Sequence, residues 1–300
     1  MKRQGSHLGL YLLLILAMFM WGLSWTNAKV LGTYTSASVL TFWRFALSGL
    51  SFVPILFITK QSPKLPLKST LLVLGGAVSI TLYNFAYFYG THIGLASIGG
   101  VVVPTMNPVF TFILAIALAR RIPLTKEALG LLFGLVGGAL ILKVWDFSFD
   151  QLMVSGNTYF IICSLSWALL TVITAKAKEY IPTLTFSFWI FSIAALLSYP
   201  FAAEYNVFTI FTYDRIFWLN LLLVTLGSMV FATTVYFFGT VRLGSERASA
   251  FIFTVPVSAV IFSMIFLKEV LEVSTIAGGI LAMTAVYLIN RSSSANTSPK

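Results

Sequence analysis

The chain has 300 residues, 58% of them hydrophobic and 9% charged, with a mean hydropathy of +0.93. A soluble globular domain carries about 25% charged residues, so that class is excluded and a polytopic membrane protein is expected. The 19 Lys and Arg against 9 Asp and Glu do not point to nucleic acid, because proteins that bind it gather bases on a soluble face, whereas here they sit in short loops between apolar runs.

A membrane-spanning helix needs about 20 largely apolar residues, and ten such runs follow one another. The first, 8–28, comes after Met1-Lys2-Arg3; it resembles a signal peptide but has no small-residue cleavage site, so a retained helix is expected. The next four are 37–59, 69–90, 95–119 and 126–143. A loop at 145–155 divides the chain, and 156–175, 183–203, 216–238, 247–267 and 272–290 complete the set. The expected organisation is all-α, with five-helix units at 8–143 and 156–290 and a disordered tail at 291–300. Cys163 is the single cysteine and lies in an apolar run, so no disulfide within the chain and no cysteine-built metal site is expected. Nothing in the sequence calls for a cofactor.

The two units repeat one another. Tyr87-Phe88-Tyr89-Gly90-Thr91 answers to Tyr236-Phe237-Phe238-Gly239-Thr240, 149 residues on, and Pro108 answers to Pro256. In each copy an aromatic helix is expected to end at Gly-Thr, followed by a short loop of small residues and a helix broken by proline. Trp21 pairs with Trp167, Leu40-Thr41-Phe42 with Leu184-Thr185-Phe186, Pro54 with Pro200 and Gly130 with Gly278. A repeat of this length governs the whole fold.

Charge gives the orientation. With ten helices both termini share one side, and on it fall Lys2, Arg3, Lys60, Lys64, Lys68, Arg120, Arg121, Lys126, Lys176, Lys178, Arg242, Arg247, Arg291 and Lys300. The opposite loops hold Lys29, Lys143, Arg215 and Lys268. The positive-inside rule then makes both termini cytoplasmic. Five helices per unit is an odd number, so the units cross the membrane in opposite senses. Inverted repeats of this kind place a substrate near the midplane between the halves.

The duplicated unit, with Trp21-Gly22 and Ala28-Lys29 in its first helix, Thr41-Phe42-Trp43-Arg44-Phe45 in its second and a proline-bearing fourth helix, resembles the EamA-type transporters of the drug/metabolite transporter superfamily. So does Leu267–Leu288, although Arg121 occupies the place that Glu269 holds in the second half. The resemblance implies export of amino acids or similar small metabolites across a bacterial inner membrane.

Nine residues are candidates for binding the substrate. Arg44 is the one strong charge within a span. It either faces the cavity and attracts a carboxylate or snorkels to the near end of its helix. Asn84, with Thr233 at the matching place beside Thr234, either glues helices or binds ligand. Asn107 sits between Pro104 and Pro108, where the prolines free backbone carbonyls that need partners. Trp21 and Trp167, deep in their spans, either wall an apolar substrate or pack helices. Tyr83, Tyr87 and Tyr236 join the group, while Trp25, nearer a helix end, suits an interfacial anchor. His92 can sense protons or simply lie exposed in a loop.

Gly130, Gly134 and Gly138, with Gly278 and Ala282, form small-residue faces that let backbones approach. They serve inside the fold or between protomers, which leaves a homodimer through these helices open. No Asp or Glu lies in the middle of a run, which favours gradient-driven movement over proton coupling, with Glu246 and His92 as the exceptions to test. A sugar-phosphate or nucleotide-sugar carrier needs several cavity bases, and only Arg44 and Lys29 are available. A membrane-embedded enzyme needs paired acids, a metal cluster or a nucleophile with its base; none is present at a useful spacing.

Overall fold

A computed structural model describes residues 5–93, 96–146, 156–262 and 273–292. Within them the chain is helical throughout, with no strand. The first half contains α1 (Gly5–Leu31), α2 (Ala37–Ile58), α3 (Thr70–Ile93), α4 (Ala96–Ala119) and α5 (Thr125–Leu142). The second half begins with α6 (Gly156–Ala177) and α7 (Thr183–Ala203). Its third crossing is composite, running from α8 (Arg215–Leu222) through a π-helix (Leu223–Ala232) into α9 (Thr233–Leu243). Then come α10 (Ser245–Ala250), a 3-10 turn (Phe251–Thr254), α11 (Val255–Phe262) and α12 (Val273–Ser292). Most of the linker (147–155), the turn with Glu269, and residues 293–300 lie outside the described residues.

Local chemistry sets the ends. Ser36 caps α2 by accepting from the Val39 N–H at 3.4 Å, and Asp214 caps α8 by accepting from Phe217 N–H at 3.0 Å. Such caps satisfy backbone donors that the first turn leaves unpaired. Gly244, at φ 92°, separates α9 from α10, a left-handed conformation that costs glycine little.

Among the described residues, seven helical stretches are long and apolar enough to cross a membrane: Leu8–Leu31, Ala37–Ile58, Leu67–Ile93, Gly99–Ala119, Thr158–Ala177, Thr183–Ala203 and Arg215–Leu243. The sequence led us to expect ten. Of the other three, α5 has 18 residues, α10 to α11 is described only as far as Phe262, and α12 holds the shorter apolar stretch Ile276–Asn290. Leucines such as Leu12, Leu16, Leu50 and Leu71 point outward, as lipid-facing side chains do.

Two expectations need correction. Neither Gly-Thr pair ends its helix, since α3 continues to Ile93 and α9 to Leu243. Thr91 stays helical with its hydroxyl bonded back to the Tyr87 and Phe88 carbonyls at 2.9 and 3.0 Å. Nor is the first proline helix broken. Residues of α4 remain helical across Pro104 and Pro108, and only the second half changes pitch, through the 3-10 turn before Pro256. Neighbouring helices can satisfy the carbonyls that proline frees, here those of Gly100 and Pro104, and α6 packs against this stretch with Ser164 donating to the nearby Val103 carbonyl at 3.4 Å.

The halves contact each other reciprocally. α3 packs on α6, as α1 packs on the π-helix and α9; α2 meets α7, and α5 meets α12. The glycine faces are filled from within the chain. A Cβ on Gly134 would strike the Phe253 ring, one on Gly138 the Thr105 side chain, and one on Gly278 the Gly137 carbonyl at 2.6 Å. Gly137 and Gly278 let α5 and α12 cross backbone to backbone, while Gly134 and Gly138 make room for Phe253 and Thr105.

Candidate functional site

Halfway along the bundle lies a cavity lined by α1, α2, α3, α4, α6, the π-helix and α11. About 460 Å³ of space between atoms, open solvent included, lies in it, but only about 30 Å³ has room for a water. That is room for a water or two, so a metabolite needs the walls to part.

Trp21, Arg44, Tyr83, Asn107, Trp167 and Thr233 line this space. Trp21 and Trp167 meet edge to face, with ring centroids 4.9 Å apart and planes at 88°, a favoured aromatic arrangement. Tyr83 packs 4.7 Å from Trp167. The Trp21 indole donates to the Ser228 carbonyl at 3.1 Å. The Trp167 N–H is buried and makes no hydrogen bond of good geometry.

Three expected residues stand one layer back, among those that position the lining. Asn84 accepts from Arg44 at 2.8 Å. Tyr87 donates to the Ser24 carbonyl at 2.6 Å and lies beneath the guanidinium. Tyr236 contacts both indoles and shares a hydrogen bond with Thr171 at 2.9 Å.

Arg44 points inward. The residue is 3% exposed and does not snorkel. Nε donates to the Val224 carbonyl at 3.3 Å, one terminal nitrogen to Asn84 and the other to Ser228 Oγ at 3.1 Å. The Tyr87 and Phe88 rings lie 5.3 and 5.7 Å away. All these partners are neutral, and no carboxylate pairs with Arg44 among the described residues. Cation–π contacts contribute about 0.5–2 kcal/mol each, whereas burying a charge costs several kcal/mol. Dipoles and rings therefore offset part of that cost and leave the positive charge itself uncancelled.

Asn107 donates to the Ser164 carbonyl at 3.2 Å and accepts from Thr111 at 3.3 Å, so it ties α4 to α6 as well as lining the cavity. Trp25 is no interfacial anchor. It is buried, lines the cavity, and packs on Tyr87 at 4.8 Å. Ser24 and Trp25 lie one helical turn beyond Trp21, a spacing that would have found them. Ser228 and Met229 carry no comparable signal, because the π-helix sets which of its side chains face inward. His92 lies apart from the cavity, its Nε2 2.6 Å from the Gly32 carbonyl, and Lys29 donates to the Thr91 carbonyl at 3.3 Å.

The profile of the EamA-like transporter family matches residues 8–143 and again 154–291. The chain belongs to that family. Among its relatives, an uncharacterized transporter of Archaeoglobus fulgidus is 23% identical over 283 residues, spanning 93% of this chain and 96% of the relative. The uncharacterized transporter YvbV of Bacillus subtilis is 25% identical over 294 residues, spanning 95% and 92%. A protein of known crystal structure shares the fold at a TM-score of 0.75 and 17% identity, covering 97% of this chain and 99% of that one. This EamA-like protein is thus a multi-pass membrane transporter, and among the described residues no cluster of His, Cys, Asp and Glu could hold a metal ion.

Beyond the cavity, one ion pair among the described residues joins the transporter's two matched segments. Arg121, just after α4, grips Glu127 at 2.8 and 3.1 Å and reaches Glu246 at the start of α10 at 2.8 Å. Glu127 also accepts the Leu124 N–H at 2.8 Å. The Glu127 carboxylate, with help from Glu246, holds the Arg121 guanidinium further above its ordinary pKa. At Asp214 the Phe217 N–H, aided by the Tyr34 hydroxyl, holds the carboxyl below its usual range.

Proposed function

We propose that this EamA-like transporter carries amino acids or similar small metabolites out across the bacterial inner membrane by alternating access about the central cavity. The observation that carries this reading is a buried, carboxylate-free Arg44 beside the Trp21–Trp167 walls. A carboxylate would take the guanidinium, and an apolar or aromatic side chain would lie against the indoles. Bidentate pairing with a carboxylate is what arginine does best.

The reciprocal contacts between halves support an inverted repeat whose two units rock against each other. The bias of basic residues supports cytoplasmic termini. Since the glycine faces are occupied within the chain, any homodimer uses other lipid-facing surface. A sugar-phosphate carrier is disfavoured because, among the described residues, Arg44 is the single cation lining the cavity and Lys29 lies elsewhere.

The test is uptake of a labelled amino-acid panel into proteoliposomes, with and without an imposed pH gradient. Saturable flux without the gradient is expected, since the described spans hold no acid at their centres. Trp21→Ala and Trp167→Ala should each lower it about tenfold at normal expression, as the loss of roughly one good aromatic contact implies. Two silent variants would remove the site from consideration.

A further inference from the structure

We infer that the cavity holds a small inorganic anion, chloride or nitrate, against Arg44 whenever no carboxylate substrate is there. The inference rests on the proposed reading of the site but concerns its empty state. A guanidinium has five N–H donors, and three neutral oxygens (Val224 O, Asn84 Oδ1 and Ser228 Oγ) take one each. Two donors are left, on a residue that borders the cavity and is 3% exposed.

A second observation is independent of the arginine. The Trp167 indole N–H, on the same cavity, is buried with only a poorly aligned contact to the Tyr236 hydroxyl and no hydrogen bond of good geometry. Buried polar groups are ordinarily paired, and an N–H can be satisfied only by an acceptor. A guanidinium and an indole that both line one small, largely aromatic space describe a site for an anion with little hydration to lose. The reachable space suits an ion of about water's size.

In that arrangement the carrier exchanges one anion for another at Arg44, so the positive charge is never left bare in the membrane interior. The substrate carboxylate then competes directly with the inorganic anion. Asn84 and Ser228 hold the guanidinium in place, and neither offers it a countercharge.

The test uses the full-length purified protein in sodium HEPES, a bulky sulfonate that carries no carboxylate, with chloride substituted at constant ionic strength. Binding of radioactive chloride is measured together with the melting temperature. We expect saturable chloride binding and a rise of about 2–4 °C at saturation, with nitrate and acetate competing. Arg44→Gln should abolish both effects. Trp167→Phe, which keeps the ring packing and removes the N–H, should weaken chloride binding about three- to tenfold, and it covers the case in which Arg44→Gln fails to fold. Absence of saturable binding to the wild-type protein, or binding unchanged in either variant, would overturn the inference. Normal amino-acid flux in HEPES with no chloride binding would sink the anion site and leave the transport reading standing. Chloride binding that the whole amino-acid panel fails to displace would leave the anion site and refute the substrate class.

Discussion

Arg121 grips two carboxylates in unlike surroundings, and cutting the outer pair alone or both pairs together should give unlike results. Glu246 is 20% exposed and Arg121 32%, so Glu246→Gln removes a partly solvated pair that contributes about 0.2–1 kcal/mol. Glu127 is 2% exposed. Arg121→Met strands that carboxylate in the bundle with the Leu124 N–H as its remaining partner, which should cost about 3–5 kcal/mol. Melting curves of the detergent-purified variants should therefore place Arg121→Met far below wild type and Glu246→Gln close to it. The transport consequence runs the other way. The Arg121–Glu246 pair joins the two matched segments; if it breaks in each cycle, weakening it by up to 1 kcal/mol alters turnover by up to about fivefold. Initial rates in proteoliposomes, normalised to folded protein, measure this. Equal destabilisation by the two substitutions would refute the division of labour, and an unchanged rate in Glu246→Gln would refute the latch.

Two further outcomes follow from the packing and from the surface. Gly278→Ala puts a Cβ 2.6 Å from the Gly137 carbonyl and should cost about 1–3 kcal/mol, whereas Gly279→Ala next to it meets only Val257 at 3.7 Å and should be neutral or slightly stabilising because alanine favours helix; equal melting temperatures would show that α5 and α12 do not cross as described. For pH, the Asp214 carboxyl lies below its ordinary range, chiefly through the Phe217 N–H. Its folded-state pKa is depressed, so its contribution is present above the unfolded value of 3.8 and is lost as pH falls through the lower folded one. Wild type should lose stability relative to Asp214→Asn on acidification below about pH 4, and parallel acid titrations of the two proteins would count against the cap.

Much of the fold could be read in the chain itself. Apolar runs separated by charged loops give membrane helices because lipid offers no partner for an unpaired backbone group. The double occurrence of Tyr-Phe-(Tyr/Phe)-Gly-Thr and the pairing of Trp21 with Trp167 give two units. Arg44 could be singled out because a charge inside a span is rare and costly. Side-chain type and spacing were enough for these conclusions, since each follows from a property of the chain against a uniform apolar solvent.

Tertiary structure decided the rest, because the outcome depended on what each group meets. Whether Arg44 snorkels or turns inward depended on Asn84, 40 residues away, and on the π-helix carrying Val224 and Ser228, some 180 residues away. Whether Pro104 and Pro108 break α4 depended on how the rest of the bundle, α6 above all, packs against it. Asn84, Tyr87 and Tyr236 sit one layer behind the cavity because each found its partner first. A sequence shows which groups need a partner in the membrane, whereas only the packed bundle settles which partner each one gets.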